Sequence, residues 1–457
     1  MTQQPSGTAS LKRNMGPGSA TVLVIANMVG TGVFTTSGFI LAELSNVPAM
    51  LACWLLGGLF ALLGALCYGE LGAMLPQSGG EYAYLRHSFG PLPAFLSGWI
   101  SLIVGFSAPI AAAALAFATY LLGGQSEPWF ILEIGGLKIF SLSAEALLAI
   151  AAVGVLSLVH YHSLKLGQRV QNLLTAFKIS FIVMLGLGGL IFGKGDPARL
   201  TDALSFNGFS FASGAFAVSL IFVSFAYSGW NAAAYLGAEI RRPERNLPLA
   251  LITGTILVTL LYLLLNLVYV YAMPKETMSG LLDLGTGAAG SLFGPTLGKI
   301  VGVAIALGLL SVVSAMIMAG PRVYYAMASH GLFFRGFGRV NPARHTPTQA
   351  IVFQAVIAMA MILNAAFDTL LIYIGFTLSL TAVLTVAGLI KLRITQPDMP
   401  RPYRALGYPI TPLLFIAGNL WIVVHSLYSR PMVALWGIST IMAGLALYWS
   451  FKLTKRN

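Results

Sequence analysis

The sequence predicts an all-α polytopic membrane protein with twelve transmembrane helices, and three observations predict it. Of 457 residues, 57% are apolar and only 9% charged, with a mean hydropathy of +0.83. The apolar residues fall into runs long enough to cross about 30 Å of hydrocarbon. Basic residues crowd into alternate loops between those runs. A soluble fold of this length carries roughly a quarter Asp, Glu, Lys and Arg, so the charge deficit excludes ordinary cytosolic enzymes, disordered chains and solenoid arrays. The net charge of +12 is spread over short loops and forms no continuous nucleic-acid-binding patch, so no nucleic-acid partner is expected.

The expected spans run from Pro17 to Leu44, Val47 to Leu75, Pro91 to Leu122, Leu142 to His160, Val170 to Phe192 and Phe211 to Ile240. Six more run from Pro248 to Met273, Pro295 to Ala328, Pro347 to Ala366, Leu370 to Leu392, Pro409 to Tyr428 and Pro431 to Phe451. Residues 1–16 read as a polar tail containing Lys12 and Arg13, and 452–457 as a second tail. The first apolar run is too long, and lacks a small-residue cleavage pattern, to be a removable signal peptide. With Lys178 set aside as lying deep within a span, nineteen Lys and Arg residues fall in or towards one set of loops and six in or towards the other. That bias puts both termini in the cytoplasm, in a multi-pass protein of the cell (inner) membrane. The only cysteines, Cys53 and Cys67, share one span and would stand about 20 Å apart along a helix, too far to bridge.

Two spans carry polar residues and glycines at mid-depth, where freed backbone groups must find partners. The first contains Asn27-Met28-Val29-Gly30-Thr31-Gly32-Val33-Phe34, and the sixth contains Phe225-Ala226-Tyr227-Ser228-Gly229-Trp230-Asn231. The breaks recur at an interval of five spans. Residues 17–192 and 211–392 therefore read as two five-helix repeats, the second inverted because five is odd, with 409–451 as two additional helices. A matched pair of interrupted helices marks a secondary transporter with its binding site near the bilayer midplane.

Met28 to Phe34 resembles the first-helix motif of the amino acid, polyamine and organocation (APC) superfamily, and Phe225 to Asn231 is similar to its sixth-helix motif. Tyr68-Gly69-Glu70-Leu71 with Leu75-Pro76-Gln77-Ser78-Gly79-Gly80-Glu81-Tyr82, and Glu239 to Pro248, extend the likeness. So do Arg322 to Ala328 and Arg401-Pro402-Tyr403-Arg404, ahead of Gly407-Tyr408-Pro409. The ordered set covers nearly the whole chain and resembles the L-type amino acid transporter branch. The resemblance implies a leucine-transporter-like fold: a five-plus-five inverted repeat followed by two peripheral helices.

A broken helix offers amide donors at the start of its second half and carbonyl acceptors at the end of its first, with matching dipole ends. An amino acid zwitterion fits both. The expected carboxylate site is the amides of Thr31 and Gly32 with the Thr31 hydroxyl. The expected ammonium site is the carbonyls of Met28, Phe225 and Ser228, and Asn27, Gly30, Gly229, Trp230 and Asn231 complete the candidate pocket. No Asp occurs near either break. Relatives that carry arginine or agmatine have an acidic residue matching Asn231, so its absence disfavours a cationic substrate. By resemblance, Phe225 is the aromatic gate over bound substrate.

Lys178 lies well inside the fifth span, where an ammonium costs about 3 kcal/mol on insertion scales. By resemblance to sodium-independent members, it substitutes for a bound sodium ion and ties the first helix to the eighth. Its expected partners are first-helix carbonyls near Gly30 and the hydroxyls of Ser311 and Ser314. The chain carries no Walker A, HExxH, CxxC or Ser, His and acid pattern. No cofactor, metal or enzymatic activity is expected. His160 and His162 read as solvated residues of a short cytoplasmic loop. The expected function is sodium-independent exchange or facilitated transport of neutral L-amino acids by alternating access. Proton-coupled amino acid transport and polyamine or organic-cation transport are the alternatives. The loop from Gly123 to Ser141 has no cysteine, so no disulfide-linked heavy chain is expected.

Overall fold

A computed structural model describes residues 13–123, 127–134, 137–204, 214–364, 367–429 and 431–454. The expected tail up to Lys12, the start of the sixth span at Phe211, the end of the ninth at Ala366, and Arg430, Lys455 and Arg456 lie outside the described residues.

The chain is a polytopic membrane protein built almost wholly of helices. Eight helical stretches among the described residues are long and apolar enough to span a bilayer. The first is interrupted, as α1 (Pro17–Met28) and α2 (Gly32–Leu44). It is followed by α3 (Val47–Met74), capped by the Asn46 side chain accepting from the Ala49 amide. A short helix α4 (Glu81–Ser88) leads into α5 (Pro91–Ile100), which continues through a π-helical stretch at Ser101–Ser107 into α6 (Ala108–Leu122). Pro109 has no amide to offer the carbonyl four residues back, and the widened turn absorbs that defect.

The loop after α6 departs from a purely helical reading. Strands β1 (Phe130–Ile134) and β2 (Leu137–Leu142) pair antiparallel, with Phe130 opposite Leu142. The apolar strand formers around Gly135-Gly136 carry the hairpin signal. Helix α7 (Ala144–His162) then meets α8 (Leu164–Phe192) across Ser163 alone. The fifth span thus begins six residues before the expected Val170, because Ser163 caps it by accepting from the Leu166 amide. The two histidines sit in the last turn of α7 rather than in a loop, and His160 is buried.

Helix α9 (Ala198–Leu204) precedes the second interrupted segment, in which α10 (Gly214–Ala226) and α11 (Ala232–Tyr235) flank a non-helical turn. After a 3₁₀ turn at Gly237–Glu239 comes α12 (Pro243–Ala272). Pro248 lies inside α12 instead of starting it, and Pro243 takes the favoured first position. Helices α13 (Lys275–Met278) and α14 (Leu284–Phe293) connect to the 35-residue α15 (Pro295–Ser329). The chain ends with α16 (Thr348–Asn364), α17 (Phe367–Thr395), α18 (Ile410–Ser429) and α19 (Pro431–Thr454). The expected sixth, ninth and eleventh spans appear as shorter apolar helices.

Small residues let the central helices approach closely, as membrane packing requires. A Cβ on Gly58 of α3 would lie 2.5 Å from Thr259 of α12, and one on Gly254 of α12 2.7 Å from Val24 of α1. Charged ties hold one end of the bundle. Buried Arg322 of α15 pairs with Glu239 at 2.8 Å, and Met15 pairs through its backbone with both Glu239 and Arg241 at 2.9 Å. Glu70 at the end of α3 accepts from Arg393 and, at 2.7 Å, from the Ala405 amide.

Candidate functional site

The first break spans Val29 to Thr31. The Val29 amide still reaches Ile25, Gly30 turns back to the Met28 carbonyl at 2.8 Å, and α2 restarts with Thr31 as its N-cap. The Phe34 amide bonds back to the Thr31 carbonyl at 3.0 Å and no side chain caps that start, so the amides before Phe34 stay available to a ligand. In the second break the Tyr227 and Ser228 amides bond back to Val223 and Phe225, both at 2.9 Å. Gly229 then takes φ +94°, a conformation that favours glycine.

The two breaks touch reciprocally. A Cβ on Gly32 would lie 2.7 Å from Ala226, the last residue of α10; one on Gly229 would lie 2.9 Å from Asn27, next to the last residue of α1. Each break's glycine therefore receives the other's half-helix end. The Tyr262 hydroxyl of α12 bridges the ends, its one proton shared between the carbonyls of Met28 at 2.6 Å and Ala226 at 2.8 Å. Its ring is held edge-on by Trp54 and Tyr227.

Between the breaks lies a cavity lined by Asn27, Met28, Gly30, Thr31, Gly32, Phe225, Ala226 and Ser228, closed by Pro109, Ala112, Ala113, Val312 and Met316. No charged side chain lines it. Peptide dipoles, the polar side chains of Asn27, Thr31 and Ser228, and apolar surface therefore set its chemistry. The other candidates Gly229, Trp230 and Asn231 line an adjoining cavity that shares Asn27, Pro109, Ser228 and Met316 with the first. Trp230 packs edge-on against Tyr68, with ring centroids 4.6 Å apart.

Lys178, only 2% exposed, donates to the first-helix carbonyls of Ala26 at 3.1 Å and Val29. Its stem rests on α15, where a Cβ on Gly308 would meet Lys178 Cγ at 3.4 Å. The two expected serines are engaged elsewhere. Ser311 donates to the Gly308 carbonyl and Ser314 pairs with His160 Nε2, both at 2.8 Å.

Two further expectations change. The Met28 carbonyl already accepts from Tyr262 and from the Gly30 amide, which occupies both its lone pairs. An acid does stand beside Asn231, whose Nδ2 donates to Glu81 Oε1 at 3.0 Å and to the Tyr235 hydroxyl at 3.1 Å. Sequence reasoning missed Tyr262, Val312 and Met316, which lie on helices without a local motif. Glu81 was visible in the Gly79-Gly80-Glu81-Tyr82 segment, but nothing in the chain's spacing joins it to residue 231.

The family description "Amino acid permease" matches residues 16–450. The b(0,+)-type amino acid transporter 1 of Mus musculus is 30% identical over 97% of this chain and 89% of its own length. The Large neutral amino acids transporter small subunit 2 of Homo sapiens is 32% identical over 98% of this chain and 82% of its own. Facing helix breaks, a cavity of backbone dipoles and a full-length family match agree: this chain is no enzyme but a membrane amino acid transporter, and it belongs to the amino acid permease family of the APC superfamily.

Proposed function

We propose that the protein is a sodium-independent exchanger or facilitator of neutral L-amino acids, working by alternating access. The observation that carries this reading is the uncharged cavity between two reciprocal helix breaks, with Lys178 already bound to carbonyls of the first. In this reading the amides of Thr31 and Gly32, with the Thr31 hydroxyl, take the substrate carboxylate. The Ser228 carbonyl takes the ammonium, alongside Phe225 as the covering aromatic; the Met28 carbonyl contributes only if Tyr262 releases it. Lys178 stands where a coupling cation would otherwise neutralise first-helix carbonyls, and its contact with α15 at Gly308 keeps the first helix tied to the eighth span. Ser311 and Ser314 shape that wall.

The same reading arranges the chain as twelve spans, residues 17–192 and 211–392 forming inverted repeats and 409–451 two peripheral helices. Both termini lie in the cytoplasm, and the membrane is the cell (inner) membrane. The human relative's name contains "small subunit"; here a disulfide-linked heavy chain is not expected, since both cysteines are buried in α3. The test is uptake of radiolabelled amino acids into liposomes holding the purified protein, in sodium and in choline buffer, competed by all twenty amino acids. Neutral L-amino acids should compete, arginine and putrescine barely, and the buffer cation should not matter. A strong sodium requirement, or arginine competing as well as any neutral amino acid, overturns the proposal.

A further inference from the structure

The second cavity contains a carboxylate that the transport reading does not use. Glu81 is 3% exposed at the start of α4, outside the long apolar helices, and lines the cavity adjoining the substrate site. Its Oε1 accepts from the Tyr68 hydroxyl at 2.7 Å and from Asn231 at 3.0 Å. The groups facing it are Tyr68 from α3, Tyr84 from its own helix, Asn231 and Tyr235 from the second break and α11, and Thr381 from α17. None is a cation. Nearby basic residues are committed elsewhere, Arg322 to Glu239 and Arg393 and Arg401 to Glu70, while Arg86 and His87 sit in the last turn of α4.

An ionised carboxylate enclosed without a counter-cation is unfavourable, and the group neutralises by taking up a proton. Burial raises the Glu81 carboxyl above the ordinary range, against the lowering effect of its hydrogen bonds to Tyr68, Thr381 and Asn231.

We propose that Glu81 is a proton-binding site coupled to the second helix break: its carboxyl holds a proton while Asn231 is docked on it, and releases that proton to water when the break moves. The step breaks one carboxyl O–H bond and gives a carboxylate and a hydrated proton; no other reactant is needed. Asn231 is the mechanical link, because it is the N-cap of α11 and borders the turn that receives the substrate. The ionised carboxylate, once formed, cannot return to the closed cavity without reprotonation. Coupling to transport rests on the proposed transport function, whereas proton binding itself does not.

Two measurements separate these. Infrared difference spectra of the purified protein, recorded on titration, should contain a protonated-carboxyl C=O band that Glu81→Gln abolishes, whether or not that variant transports. Absence of a band assignable to Glu81 overturns the proposal. In liposomes, exchange should fall as pH is raised on the face that carries Met15 and α4. Glu81→Gln, which mimics the neutral carboxyl, should hold the acid-side rate at every pH. A wild-type pH profile in Glu81→Gln overturns the coupling. So does competition by lysine or putrescine that Glu81→Gln removes, because the carboxylate would then be binding an organic ammonium.

Discussion

Gly32 abuts Ala226 so closely that even one added methyl group would stand 2.7 Å from the Ala226 Cα. This contact joins the restart of the first broken helix to the end of the second's leading half, and Gly229 against Asn27 repeats it from the other side. The glycines let the breaks meet, and in the proposed transport reading they also free backbone groups for substrate.

That double role changes what substitution at Gly32 should do. From the sequence, Gly32→Val should leave folding intact and block only the approach of substrate to the amides. Against the structure, any side chain there must first displace Ala226 backbone, an overpacking cost of about 1–3 kcal/mol. Gly32→Ala should lower the unfolding temperature as well as substrate affinity. Gly30→Ala is the cleaner probe, since its Cβ would meet the Met28 carbonyl oxygen and Val312 at an ordinary 3.9 Å. Thermal unfolding and binding measured together check the pair, and equal unfolding temperatures for the two variants would count against the contact.

Tyr262→Phe should keep the ring between Trp54 and Tyr227 while removing a hydroxyl that reaches both half-helix ends. Losing a buried donor leaves its acceptors short by about 1–3 kcal/mol. The Met28 carbonyl also becomes available, so substrate affinity should change along with stability. Unchanged affinity and unchanged unfolding would show that the bridge holds nothing.

The buried pair Arg322–Glu239 links α15 to the segment after the second break, to which Met15 is also tied. Glu239→Ala leaves Arg322 buried without a counter-charge and should cost about 3–5 kcal/mol. Adding Arg322→Met should restore a large part of the loss, because apolar replacement of a whole buried pair is far less costly than breaking it. Unfolding of the single and double variants in detergent decides this; a double variant no more stable than Glu239→Ala would contradict it.

What the sequence reveals follows from the range over which each force acts. The eight long apolar helices among the described residues were legible because bilayer thickness imposes length and hydropathy locally, whereas the expected sixth, ninth and eleventh spans are shorter helices. Both breaks were legible because glycine and polar residues at mid-depth have a local backbone meaning. The start of α8 was missed because a single serine, Ser163, can cap a new helix without an intervening loop. His160 was placed in solvent because its partner Ser314 lies 154 positions away. The Glu81–Asn231 contact was missed for the same reason, and with it a carboxylate beside the second break.

Lys178 can be tested by separating charge from volume. Its ammonium donates to the carbonyls of Ala26 and Val29, one on α1 and one in the first break, while its stem packs against Gly308 of α15. Lys178→Ala removes both the charge and the stem; Lys178→Met keeps nearly all the volume and removes only the charge. Hydrogen bonds to a charged group contribute about 1.5–3 kcal/mol each, and about 1.4 kcal/mol is tenfold in an equilibrium. If the charge positions the first helix, both variants should lose at least roughly tenfold in flux while remaining inserted and folded. If the stem matters alone, Lys178→Met should transport like the unmodified protein and only Lys178→Ala should fail. Sodium adds a second discrimination: the same carbonyls cannot serve an ammonium and a sodium ion together, so the unmodified protein should transport equally in sodium and choline. Flux in both buffers, normalised to protein correctly inserted in the liposomes, yields the answer, and a Lys178→Met variant with full flux would end the ion-surrogate role.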